Sequence, residues 1–163
     1  MSNNALLPSV RAVIQRDLRP TDLGLATQGL IKAGTVVSLP PQVLEALLRR
    51  GLASLYDEDI VSDKDIVKMF WLENRSPEEL RELPKDFYIR ARLSSIKNPD
   101  SKITTQLKEL ARLRLRKILT TIAQNPGYAE SREFMSKLTI EEEMLVRLIA
   151  PWIKEFMNSV IGL

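Results

Sequence analysis

The run Leu110-Ala111-Arg112-Leu113-Arg114-Leu115-Arg116-Lys117-Ile118-Leu119 crowds four cationic side chains into positions 112–117. Cations so spaced can do three things: face water, pair with buried carboxylates, or hold phosphates. The run lies in a stretch of helix formers, residues 101–124, so a helix of about 100° per residue decides where each points. Leu107, Leu110, Ala111, Leu115, Ile118, Leu119 and Ile122 fall on one broad apolar stripe. Arg112 and Arg116 lie beyond one edge of it and Lys117 borders the other. Arg114 projects into the apolar arc, between Leu110 and Leu107. An unpaired buried guanidinium costs several kcal/mol, so its burial requires a carboxylate partner. Asp86 is the partner put forward, with Glu141, Glu142 and Glu143 as the other candidates. Leu113 leaves the stripe on the polar side, which points to a second contact surface and a partner helix. A nucleic-acid reading gives phosphates to Arg112, Arg116 and Lys117. No aromatic residue interleaves with these three as a base-stacking platform requires.

The remaining chemistry is limited by what the 163 residues lack. Histidine, the side chain best suited to proton transfer near neutrality, is absent, and so is cysteine. Ser-His-Asp and Cys-His triads and N/S-type zinc sites therefore cannot be built. Carboxylates, lysines and tyrosines remain, and their spacing assembles no catalytic set, metal site or cofactor site. The chain is read as a non-enzymatic protein without a cofactor. A net charge of +3, from 24 Lys+Arg against 21 Asp+Glu, does not by itself announce nucleic-acid binding.

The elements that position these residues divide into two parts, a small β-rich domain over 1–57 and a helical domain over 58–163. In the first, Val10, Ala12 and Ile14 alternate with Arg11, Val13 and Gln15 as in a half-buried strand. Gly24, Gly29 and Gly34 punctuate the chain beyond that strand. Leu30-Ile31 and Thr35–Leu39 read as short strands joined by a tight turn at Lys32-Ala33-Gly34. Pro41 suits the first turn of a short helix carrying Val43, Leu44, Leu47 and Leu48, and Gly51 suits its C-terminal cap. Leu52 to Tyr56 returns as a strand.

Beyond Asp57-Glu58-Asp59 helix formers dominate. Ser62 caps a helix to about Glu73, in which Phe70-Trp71 reads as core. Ser76-Pro77-Glu78-Glu79 has the form of a capping box with proline at the first helical position. A helix over Lys85 to Lys97 is terminated by Asn98-Pro99-Asp100, and the long helix from Ser101 is stopped by Asn125-Pro126-Gly127. Thr139-Ile140-Glu141-Glu142 is a second capping box and opens a helix to about Val160. That helix is too apolar for a simple division between core and water. Ile140, Met144 and Leu148 make one stripe. Leu145, Ile149, Trp152, Ile153, Phe156 and Val160 make a second, a seam for another subunit with Trp152 and Phe156 as its anchors. Pro151 removes one backbone hydrogen bond and is expected to kink the helix near Arg147. No apolar run reaches the roughly 18–20 residues that cross a bilayer, and MSNNALLPSVRAV has no secretory-signal pattern.

Leu83-Pro84-Lys85-Asp86-Phe87-Tyr88 followed by Leu110–Leu119, with Leu138–Glu143 opening the last helix, resembles the helical domain of archaeal GINS subunits. Ile31–Pro40 and Ala46–Ala53 are similar to that family's small β domain. The order of the two, β module first, resembles the class related to the eukaryotic Psf-two and Psf-three subunits. The resemblance implies a non-enzymatic hetero-tetramer with two copies of each class. It further implies a replication scaffold joining the MCM helicase to a RecJ-like protein and, in some lineages, primase. A cytoplasmic, nucleoid-associated location is implied by the same resemblance.

Overall fold

A computed structural model describes residues 8–23, 29–98 and 102–162. Its fold is mainly α, with six α-helices among these residues and a small antiparallel sheet that precedes the helical bundle in the chain. Two compact units emerge. One holds the described residues up to Ser62 together with Ile89–Ile103, and the other holds Asp63–Tyr88 together with Thr104 onward.

In the first unit the partial alternation of the opening strand has its expected outcome. Strand β1 (Val10–Ile14) buries Val10, Ala12 and Ile14 and leaves Arg11 and Val13 partly exposed. It is the central strand of a sheet ordered β2-β1-β3, with β2 at Val36–Leu39 and β3 at Ala53–Leu55. Leu30-Ile31 is no strand. Ile31 makes one isolated bridge to Leu18, because β1 already has β2 and β3 along its two edges. Between β2 and β3 lies helix α1 (Pro41–Arg49), which buries Leu44, Leu47 and Leu48. Its end is a Schellman turn: Gly51 N–H donates to Leu48 and Leu52 N–H to Leu47. Gly51 takes φ of +67°, which a side chain would strain. Arg11 forks onto Asp59 through two 2.9 Å bonds and lies 4.4 Å from the Tyr56 ring centre. Helix α3 (Phe87–Ser95) adds Arg90, which donates to the carbonyls of Glu58 and Asp59, and Ser94, which accepts from Val61 N–H.

The second unit contains α2 (Asp63–Arg75), most of α4 (Ile103–Gln124), α5 (Arg132–Ser136) and α6 (Ile140–Ile161). Its apolar core brings together Leu80, Ile118, Ile122, Phe134, Met135, Leu138, Val146 and Ala150. At roughly 1.5–3 kcal/mol for each large side chain removed from water, this cluster is the main source of cohesion. Several sequence expectations are corrected here. Ser76-Pro77-Glu78-Glu79 starts no helix: it makes a turn, Glu79 N–H to the Ser76 carbonyl, and the carbonyls of Ser76 and Glu79 both accept from Lys117. Phe70-Trp71 is not core, since Trp71 is 64% exposed and Phe70 is only half-buried. Leu115 and Leu119 are exposed as well, because the buried face of α4 is rotated toward Arg114 and Lys117. Helix α5, absent from the sequence reading, begins where the Ser131 hydroxyl accepts from Phe134 N–H. Gly24, Pro99-Asp100 and Ser101 lie outside the described residues.

Candidate subunit interface

Two features of the second unit arise from its helix faces: a buried charge network that fixes the bundle and an apolar ridge that the bundle leaves uncovered. The network centres on Arg114, whose side chain is fully buried. All five of its N–H groups are used. Nε and Nη2 fork onto the Glu142 carboxylate, each at 2.8 Å, and Nη1 reaches Glu73 at 2.8 Å. The remaining two donate to the carbonyls of Arg81 (2.7 Å) and Lys137 (3.0 Å). A single guanidinium thus joins α2, the 76–86 segment, α4, the end of α5 and the first turn of α6. The buried Arg114 expected from the α4 stripe is present, and of its candidate partners Glu142 is the one engaged. Asp86 is not, because no donor of Arg114 is left for it. Glu73 was not foreseen.

Lys117 lies one turn further along α4 and is also buried. Its three ammonium protons are shared among four acceptors, the Glu73 carboxylate at 2.7 Å and the carbonyls of Glu73, Ser76 and Glu79 at 2.6–2.8 Å. Glu73 therefore sits between two cations, which offset the cost of taking a carboxylate out of water. Glu142 combines the Arg114 fork with the capping box: it accepts from Thr139 N–H at 3.0 Å and from the Tyr88 hydroxyl at 2.8 Å. Burial, then the Glu142 charge, pushes the Tyr88 phenol well above the ordinary tyrosine range. The Arg114 guanidinium is held in its charged form by the Glu142 hydrogen bonds and charge against the opposing pull of burial. Around the rim, Lys85 bonds Glu143 at 2.8 Å and Arg147 bonds the same carboxylate at 2.7 Å, which holds Glu143 below the ordinary carboxylate range.

This arrangement corrects the phosphate-binding set. Lys117 cannot reach a phosphate, since its protons are consumed inside the bundle. Arg112 is exposed but bonded to Glu109 at 3.1 Å, and Arg116 is exposed on the same helix.

Helix α6 turns Glu142, Val146 and Ala150 inward, with Ile149 and Ile153 packed at the core margin. Helix α6 runs through Pro151, whose ring leaves the Arg147 carbonyl without a helical N–H. Of the seam residues read from the sequence, Trp152 (73%) and Phe156 (64%) are exposed, and Leu113, Leu145, Ile149 and Ile153 are half-buried. Met144 and Leu148, assigned from spacing to a different stripe, are exposed too. Met144, Leu148, Trp152, Phe156 and Val160 recur at i+4, so the five form one uninterrupted ridge along α6. The burial of small Ala150 and charged Glu142 in place of Met144 and Leu148 explains the shift: the Arg114 fork sets the rotation of the helix.

Compared with known families, residues 54–161 match the Sld5 family model, described as the GINS complex protein helical bundle domain. No protein of curated function matches the chain.

Proposed function

The chain belongs to the family of GINS complex proteins, whose helical bundle domain covers about two thirds of it, and from that premise we propose that it is an archaeal-type subunit of a hetero-tetrameric replication scaffold. Its class is the one with the β module first, related to the Psf-two and Psf-three subunits. The MCM helicase, a RecJ-like protein and, in some lineages, primase are the outer partners this reading assigns. The ridge Met144–Leu148–Trp152–Phe156–Val160 is its seam with a second GINS subunit, flanked by Leu145, Ile149 and Ile153.

One observation carries the seam: two large aromatics and three aliphatic side chains stand exposed along a helix that is anchored through Glu142, Val146 and Ala150 and whose residues 154–162 are all exposed, apolar Met157 and Ile161 among them. Single exposed apolar residues need no explanation, but a contiguous run of this kind marks a contact surface. Large aromatics at its centre are the usual anchors of binding energy. Leu113, half-buried on α4, is a further contact in this reading.

The test is sedimentation velocity on the chain alone and with a co-expressed second subunit. The chain alone should self-associate, and the second subunit should replace self-association with one defined complex. Trp152→Glu with Phe156→Glu should leave the circular dichroism unchanged and abolish both associations. A chain that is monomeric alone at tens of micromolar, with no partner captured, would refute the assembly reading.

A further inference from the structure

Helix α2 displays a second surface, separate from the ridge of α6. Lys64, Lys68, Trp71 and Arg75 succeed one another at intervals of four, three and four. At about 100° per residue all four fall within an arc of about 60°. All four are exposed, and Trp71 remains so even though Phe70 braces it in a T-shaped contact of 6.4 Å. The carboxylates of the helix lie elsewhere. Glu73 is buried on the opposite side, and Asp63 and Asp65 lie about 90° or more from the centre of the arc. Among the described residues, neither Lys64, Lys68 nor Arg75 has an ion pair. The cations span 11 residues, about 16 Å, the length of about five stacked nucleotides at about 3.4 Å each.

We propose that this face binds single-stranded nucleic acid, with phosphates on Lys64, Lys68 and Arg75 and one base stacked on the Trp71 indole. Three unpaired cations around an exposed ring suit a ligand that offers both negative charge and flat apolar faces, which a single strand does. A duplex would match the cations but keeps its base faces stacked away from Trp71. An apolar protein partner would have to strip water from three cations and return no charge. The set expected on α4 lacks this combination, because Lys117 is buried and no aromatic stands among its arginines.

Fluorescence anisotropy of a labelled oligo(dT), titrated with the full chain in its purified assembly, tests the assignment. About three phosphate contacts on a single strand predict a slope of about −2 in log K against log salt. Lys64→Gln/Lys68→Gln/Arg75→Gln should abolish binding, and each of the three changes made singly should weaken it and flatten the slope by about 0.7. Trp71→Ala should weaken binding at least about fivefold at unchanged slope, and Trp71→Phe should restore most of the loss. These are exposed positions, so the variants should fold, which circular dichroism verifies. The proposal is overturned if wild-type chain fails to bind at 50 mM salt, about the low end of such assays. It is overturned equally if Trp71→Ala binds like wild type or if a duplex binds as tightly. Equal competition by polyglutamate would also overturn it and identify an acidic protein surface as the occupant.

Discussion

Replacing Arg114 by methionine removes the fork but keeps most of the side-chain volume, so it isolates the charge network from the packing. The change strands the carbonyl of Arg81, which accepts a 2.7 Å bond from Arg114, and takes the 3.0 Å bond from the carbonyl of Lys137, which keeps Leu83 N–H at 3.2 Å. Each buried unpaired acceptor costs about 1–3 kcal/mol. Glu73 keeps Lys117, and Glu142 keeps Tyr88 and Thr139, so neither carboxylate is left bare. The total expected is about 3–5 kcal/mol, the range for breaking a buried ion pair from one side. Urea unfolding at fixed protein concentration should show the midpoint lowered with the slope unchanged. The melting temperature should fall by roughly 6–20 °C at about 2–4 °C per kcal/mol. Adding Glu142→Gln should cost less than the sum of the two single changes by more than about 1 kcal/mol, since each single change already breaks the same fork. A methionine variant within about 1 kcal/mol of wild type would refute the account of Arg114 as the tie that fixes the bundle.

Four further outcomes are expected. Tyr88 has its phenol pKa raised by burial and by Glu142, so the stability it contributes is full below the ordinary value of about 10 and is lost as pH rises through the folded value. Absorbance at 295 nm should accordingly show one tyrosine that ionises only as the fold opens, and Tyr88→Phe should remove that step. Glu143 has its pKa lowered by Lys85 first and Arg147 second, so its contribution is present above the ordinary 4.5 and is lost as pH falls through the folded value. Lys85→Ala should therefore reduce the loss of stability seen between neutral pH and acid in denaturant titrations. Lys117→Met should destabilise by about 3–5 kcal/mol and expose the 76–80 segment to proteolysis, because the Glu73 carboxylate loses an ion pair, the carbonyls of Glu73 and Glu79 lose their donor, and the Ser76 carbonyl is left with Glu79 N–H alone. Thr139→Ala should cost about 1 kcal/mol in thermal unfolding by opening the capping box of α6.

Much of this fold is legible from local signals. The alternation of Val10, Ala12 and Ile14, the cap at Gly51 and the box at Thr139 are short-range rules, and each is obeyed. The misplacement of Arg114 in an apolar arc is legible for the same reason, since helix geometry alone assigns its direction. Its partners are legible only in part. Glu142 stands in the capping box as an exposed-looking first-turn acid, and its second role depends on where α4 passes. Glu73 carries a signal of its own: it lies seven residues after Ile66, so both point from α2 toward the core. Ser76-Pro77-Glu78-Glu79 fails as a helix start for a tertiary reason. Its carbonyls satisfy Lys117, a demand invisible in the four residues themselves. The two stripes of α6 are regrouped likewise: spacing sets Met144 and Leu148 apart from Trp152 and Phe156, and the inward turn of Glu142 toward the guanidinium reverses that, leaving all four exposed.

That reversal constrains how the sequence can drift. Positions 73, 114 and 142 form a set in which the loss of any one takes a buried ionic partner from another, since Arg114 holds both carboxylates. Substitutions there should be accepted in concert or not at all, and a relative bearing an aliphatic residue at one of the three should have remodelled the other two. Designers seeking a more heat-resistant version have the same choice: keep the trio intact, or replace it wholesale with matched hydrocarbon and supply Lys117 with a new acceptor.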